Sequence, residues 1–331
     1  MSVTYEVYRG SPEGKIVGDK VTSTLGNNQV FVETLVSGLC GTDEHFVKTN
    51  QVLGHEGVGI VKAIGPSVTT VKVGDRVGFG YTHSICGHCD NCTTGWDQYC
   101  RTVELYGSAD FDNGTFSSGA VWDANSVYTI PEGYDSAYAA PLVCAGATVF
   151  SVLTKFGIQS TDRVGILGIG GLGHLAIKLA SALGYHVVAL SSSEAKRQEA
   201  MEYGASEYHV FRSGQAPKDM APIKHLLLTG SANVDYSSLI PIMDTLSTIY
   251  PLTVSADPSN IVTLSLVTKG IRIQGSMVGS RPVIRSLLDF SAKKNIYPTI
   301  MKFPLTAEGI ETAMKTLREG KMRYRGVLVK E

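Results

Sequence analysis

The sequence predicts an α/β protein in two parts, a β-rich first part and a doubly wound parallel sheet. Three observations carry this. With 331 residues the chain is long for one hydrophobic core. Its first 150 residues hold short β-type runs punctuated by glycine. From about residue 145 apolar strands alternate with helical stretches, the pattern of parallel strands joined by crossover helices.

Taken in order, residues 30–37, 57–63, 75–79 and 126–130 read as strands. Residues 107–119 hold Asn113-Gly114 among several Ser and Asp and read as a loop or hairpin. Residues 163–167 form a strand, 172–183 a helix, 185–190 a strand, and 194–203 a helix closed by Gly204. Residues 225–229 and 271–275 are further apolar strands, and 324–330 reads as one more that returns to the first domain. The expected domains are 1–147, completed by 285–331, and 148–284.

Composition narrows the function classes. Hydrophobic residues make up 43% and charged residues 18%, enough apolar material for buried cores in a soluble protein. The formal charge of -1 gives no electrostatic case for nucleic acid or an anionic membrane. The first ten residues lack a signal-peptide core. The most apolar stretch, 164–180, is broken by five glycines, His174 and Lys178, so it does not read as a span. The expectation is a cytoplasmic protein.

Six cysteines in such a chain point to metal or catalysis rather than disulfides. Cys86, Cys89, Cys92 and Cys100 follow C-x2-C-x2-C-x7-C. Four thiolates that close together can surround zinc and leave no open position, the form of a structural site. Four unrelated cysteines, a local disulfide pair and an iron–sulfur cluster are the alternatives. His88, inside the loop, is expected to be exposed rather than a fifth ligand.

A second set is dispersed. Cys40, His55 and Cys144 offer two sulfurs and one nitrogen, a donor set that leaves a fourth zinc position open to polarise an alcohol or carbonyl oxygen. Any one of the three could be an ordinary buried cysteine or a satisfied histidine. The run GHEGVGIVKAIGPSV from Gly54 resembles the zinc signature of medium-chain alcohol dehydrogenases. The segments CGTDEH, CGHCDNC, APLVCAGATVF, GIGGLGHLAIKLA, SSSEAKR and MRYRGVLV resemble the cinnamyl alcohol dehydrogenase-like branch. The resemblance implies a GroES-like catalytic domain and a Rossmann domain. It makes Cys40, His55 and Cys144 the catalytic zinc ligands and places Glu56 behind the metal. Thr42 would set its hydroxyl beside the substrate oxygen, and His45 would carry the proton to solvent. Two departures concern the substrate pocket. Only fourteen residues separate Cys40 from His55, and Val52-Leu53 stands where a proline is often found before Gly-His-Glu. Tyr81, Phe46 and Trp122 are candidates for the pocket wall.

Gly168-Ile169-Gly170-Gly171-Leu172-Gly173 contains G-x-G-x-x-G between an expected strand and helix, the context that lets a pyrophosphate approach a helix N-terminus. By resemblance Thr148, Thr229-Gly230-Ser231 and Gly275-Ser276-Met277 line the nicotinamide half. The second strand ends at Ser191, Ser192 and Ser193 with no carboxylate to repel a 2′-phosphate, and Lys196 and Arg197 follow. This predicts NADP(H), although a serine N-cap followed by solvated basic residues would look the same. The expected protein is a zinc-dependent NADP(H) alcohol dehydrogenase or aldehyde reductase with two zinc ions per chain. Its substrate is a small aldehyde, ketone or alcohol, and the resemblance implies a homodimer. The rival readings are an NADPH-dependent reductase of an iminium or activated alkene, prompted by the short loop, and a non-catalytic cofactor-binding protein.

Overall fold

The computed structural model describes residues 1–213, 215, 217, 219–230, 234–255 and 257–330. The chain divides into two compact units, Met1–Ala147 with Val278–Glu331, and Thr148–Met277.

The first unit is built on a seven-stranded sheet. Its order is Ile300–Pro304, Arg325–Val329, Gln29–Leu39, Glu56–Ile64, Arg76–Gly80 and Val127–Thr129, with Gly119–Asp123 also paired to Gln29–Leu39. Along Gln29–Leu39 the residues Val30, Val32, Thr34 and Val36 are buried in alternation, as a strand with one covered face requires. The C-terminal strand pairs antiparallel with Gln29–Leu39, Val327 opposite Gly38. This brings Arg325 beside Glu56, 269 residues away in sequence. Strands Ser2–Arg9 and Val17–Thr24 form a separate antiparallel pair that the sequence reading left out. Trp122, 1% exposed, packs edge-on to Phe79 among Val30, Val61 and Val77. It is a core residue and not part of a pocket wall.

Residues 107–118 form an irregular loop, not a hairpin. The loop holds the short connection before His55 in place. Val52 N–H donates to Phe111 O, Phe116 N–H to Leu53 O, and Thr115 N–H to Gly54 O. Helix Arg281–Lys294 lies in the first unit although the sequence placed its start in the second. Its buried Val283, Ile284, Leu287 and Leu288 face that unit, and Arg281 bonds Asp97 through its backbone N–H (2.9 Å) and its Nε (2.7 Å).

The second unit is a six-stranded, wholly parallel sheet. Its order is Glu207–Val210, His186–Ser191, Arg163–Leu167, Ile223–Leu228, Met243–Pro251 and Arg272–Ile273. Numbered from Arg163–Leu167 this is the Rossmann order 3-2-1-4-5-6. Val187, Val188, Ala189 and Leu190 are all fully buried, as a strand covered on both faces must be. The order reverses between Arg163–Leu167 and Ile223–Leu228, the switch point where such sheets take ligands. Among the described residues no single helix is long and apolar enough to cross a membrane.

Candidate active site

Cys40 ends the central strand Gln29–Leu39, and helix Gly41–Phe46 begins there. This turn sets Thr42, Asp43 and His45 one after another. Asp43 is buried, and its Oδ2 accepts from the Cys40 backbone N–H at 2.9 Å. His55 lies just before strand Glu56–Ile64, and Cys144 just before helix Ala145–Lys155. Ligand atoms of Cys40, His55, Glu56 and Cys144 all lie within 4.8 Å of one another. Thr42 Oγ1 is 3.6 Å from Cys40 Sγ, and His45 is exposed.

The electrostatics of this group fit a cation. His55 Nδ1 is 2.9 Å from Asp43 Oδ1, while its Nε2 is buried with no partner. A buried imidazole nitrogen left in this way is costly unless something takes its lone pair. The Cys40 thiol is drawn well below the usual thiol range, chiefly by its hydrogen bond with Cys144 and then by His55. Burial pushes the Glu56 carboxyl up to about 7 against the pull of Arg325, whose Nη2 donates to both its oxygens.

The four-cysteine lobe is compact. Cys86 Sγ is 3.9 Å from Cys92 Sγ and 3.5 Å from Cys100 Sγ, and Cys89 Sγ is 3.6 Å from Cys92 Sγ. Four sulfurs about 2.3 Å from a tetrahedral zinc stand roughly 3.8 Å apart, so the donors fit that ion. Backbone N–H groups of Cys86 and Cys89 point at Cys100 and Cys86 sulfurs at 3.3 Å, as thiolates require. His88 is exposed and turned onto Cys86 O.

In the second unit the glycine turn follows strand Arg163–Leu167 and opens helix Gly171–Ala182, which includes Leu172. Gly168 has φ +97°, and a Cβ there would stand 2.4 Å from Gly230 Cα. A Cβ at Gly173 would stand 1.9 Å from Gly168 O. At Gly170 nothing lies within 4 Å of that position, which leaves room for a pyrophosphate at the helix start. Thr229 Oγ1 donates to the turn at Gly168 O (2.7 Å). Ser231 lies outside the described residues.

At the end of the second strand Ser193 takes the N-cap position, but its side chain makes no capping bond. Lys196 reaches back to the glycine turn, Nζ to Ile169 O at 2.5 Å. Arg197 does not join it. Its guanidinium is held by Glu194 and lies over the Tyr208 ring, 4.6 Å from the centroid. The basic group missed from sequence is Arg212, whose Nε donates to Ser192 O at 3.2 Å. Thr148 is buried, Met277 is half-buried, and Ser276 Oγ is buried without a hydrogen-bond partner.

A Rossmann unit with a glycine turn, together with a unit carrying one closed and one open metal donor set, defines a zinc-binding dehydrogenase. Residues 26–132 match the alcohol dehydrogenase GroES-like domain, and residues 171–293 match the zinc-binding dehydrogenase domain. NADP-dependent alcohol dehydrogenase C 1 of Mycolicibacterium smegmatis is 34% identical over 92% of this chain and 91% of its own. Cinnamyl alcohol dehydrogenase 8 of Arabidopsis thaliana is 33% identical over 92% and 88%. Among solved structures, a cinnamyl alcohol dehydrogenase from Sorghum bicolor superposes with a TM-score of 0.90 at 29% identity, over 99% of this chain and 98% of that one. CAD from Helicobacter pylori complexed with NADP(H) gives 0.89 at 26%, over 99% of each. The chain belongs to the zinc-dependent medium-chain alcohol dehydrogenase family, in its cinnamyl alcohol dehydrogenase-like branch. It is an oxidoreductase with a GroES-like unit and a Rossmann unit.

Proposed function

We propose that the chain reduces small aldehydes or ketones, and oxidises the corresponding alcohols, with NADP(H) as coenzyme and two zinc ions per chain. The observation that carries this is His55 Nε2, buried and unpartnered beside two thiols while Asp43 holds the other ring nitrogen. Cys40, His55 and Cys144 would hold the catalytic zinc, with Glu56 behind it restrained by Arg325. Cys86, Cys89, Cys92 and Cys100 would hold the structural one. When bound, zinc supplies a Lewis acid for the substrate oxygen, and the nicotinamide supplies or accepts the hydride.

The chain's own residues do the rest. Thr42 Oγ1, beside the Cys40 sulfur, passes a proton to or from the substrate oxygen, and the exposed His45 exchanges it with solvent. Gly168, Gly170, Gly171, Leu172 and Gly173 receive the pyrophosphate, and Thr229 braces that turn. Ser191, Ser192, Ser193 and Lys196 bind the 2′-phosphate, Arg197 acting only to hold the strand end. Thr148, Ser276 and Met277 line the nicotinamide half, a reading supported by the unpartnered Ser276 hydroxyl. The NADP-dependent relative and the NADP(H) complex point to the same coenzyme. A homodimer in the cytoplasm completes the reading.

The test is NADPH oxidation against a panel of simple aldehydes and ketones, activated alkenes and cyclic imines. Turnover of the carbonyl compounds is expected. Turnover of only alkenes or iminium compounds would transfer the reading to such a reductase. No turnover with any of them would count against this substrate class and raise the non-catalytic cofactor-binding reading.

A further inference from the structure

We propose that Tyr106 is a positioning residue for His55, the outer member of a buried hydrogen-bond chain that fixes the nitrogen offered to the catalytic metal. This rests on the reading of Cys40, His55 and Cys144 as an open zinc site.

Tyr106 is 3% exposed. Its hydroxyl donates to Asp43 Oδ1 at 2.9 Å and accepts from the Gly54 backbone N–H at 3.1 Å. The same Asp43 Oδ1 lies 2.9 Å from His55 Nδ1, and Oδ2 accepts from the Cys40 N–H. One carboxylate therefore ties the backbone of one sulfur donor to the ring of the nitrogen donor. One phenol in turn ties that carboxylate to the residue immediately before His55. The Tyr106 ring lies over the imidazole, centroids 4.6 Å apart and 34° between planes. Phe46 packs edge-on to Tyr106 at 5.2 Å. A Cβ at Gly107, where φ is +81°, would stand 2.1 Å from the Phe46 ring, so the residue after Tyr106 is kept bare for this packing.

A histidine that binds metal through Nε2 must carry its proton on Nδ1, and its direction is set by whatever accepts that proton. Here the acceptor is Asp43, whose Oδ1, without the phenol, would keep His55 alone as a hydrogen-bond partner among the described residues. A donor to an ionised acceptor in dry surroundings makes one of the stronger hydrogen bonds available. Tyr106 thus holds the carboxylate at one rotation, and the carboxylate holds the imidazole. Tyr106 need touch neither substrate nor coenzyme to do this.

Tyr106→Phe keeps the ring and removes the hydroxyl. Loss of such an outer-shell partner weakens metal binding by about 10- to 100-fold. In competition with a zinc-chelating dye, one of the two zinc ions should leave Tyr106→Phe at least about tenfold more readily, and the other, in the four-cysteine lobe, should leave as in wild type. With Co2+ in place of zinc, the visible d–d bands of the open site should shift in the variant. Tyr106→4-aminophenylalanine keeps a donor in the same place and should return zinc retention toward the wild-type value. Wild-type zinc retention and cobalt bands in Tyr106→Phe would overturn the proposal, whatever happens to Tm. So would a 4-aminophenylalanine variant that loses zinc as readily as Tyr106→Phe. If Tyr106→Phe does not fold, the 4-aminophenylalanine protein alone decides: retention near wild type supports the role, and a tenfold loss sinks it. A wild-type protein holding fewer than two zinc ions would instead sink the underlying reading of the open site.

Discussion

Replacing Lys196 by alanine should lower kcat/KM for NADPH about tenfold and leave NADH nearly unchanged, whereas Arg197→Ala should leave both nearly unchanged. From the sequence the two cations were equal candidates for the 2′-phosphate. The geometry separates them. Lys196 Nζ already stands over the glycine turn, donating to Ile169 O, beside the place where a coenzyme phosphate would approach. Arg197 is spent on Glu194 and on the face of Tyr208. A charge-assisted hydrogen bond contributes about 1.5 kcal/mol, which at ~1.36 kcal/mol per decade is about tenfold. Ser191→Asp would place a carboxylate where the proposed site would take the 2′-phosphate, and the NADPH/NADH ratio should fall further than in Lys196→Ala. The assay is the initial rate with one aldehyde over a range of each coenzyme. A tenfold loss in Arg197→Ala with none in Lys196→Ala would refute the assignment, and a wild-type ratio near one would remove its basis.

Three variants in the first unit have definite expected outcomes. Thr42→Val keeps the shape and removes the relay hydroxyl, and kcat for carbonyl reduction should fall on the order of 100-fold. His45→Ala, at the exposed end, should cost less and respond to added buffer base; near-full activity in Thr42→Val would instead favour the alkene or iminium reductase. Arg325→Met leaves Glu56 buried without its partner and should destabilise the protein by about 3–5 kcal/mol. In thermal unfolding that is a drop in Tm on the order of 10 °C, partly recovered when Glu56→Gln is added; an unchanged Tm would mean the pair carries no such weight.

What could be read from sequence followed from how local each signal was. The four-cysteine lobe lies within fifteen residues, and the glycine turn is flanked by its own strand and helix, so spacing alone exposed both. Cys144 is 104 positions from Cys40, and only the resemblance joined them. Asp43 lies in the CGTDEH segment, yet nothing local says that it faces His55. Arg325 lies in the MRYRGVLV segment, but its contact with Glu56 exists only because the last strand pairs with the central one. Tyr106 carried no signal, since its partners Asp43 and Gly54 lie 63 and 52 positions away. Strand Ser2–Arg9 does alternate, with Val3, Tyr5 and Val7 buried, and was legible by its period. Strand Met243–Pro251 was not. Leu246 at φ +53° and a register shift against Ile223–Leu228 break its pattern.

Zinc content, measured by elemental analysis on protein purified without chelator, decides most directly whether the open donor set is a metal site. Two zinc ions per chain are expected in the wild type. Cys144→Ser should stay folded with one zinc and no activity, while Cys89→Ser should lose folding stability, because the binding energy of a closed site is folding energy. One zinc or none in the wild type, or identical behaviour of the two variants, would contradict the division into a catalytic and a structural site.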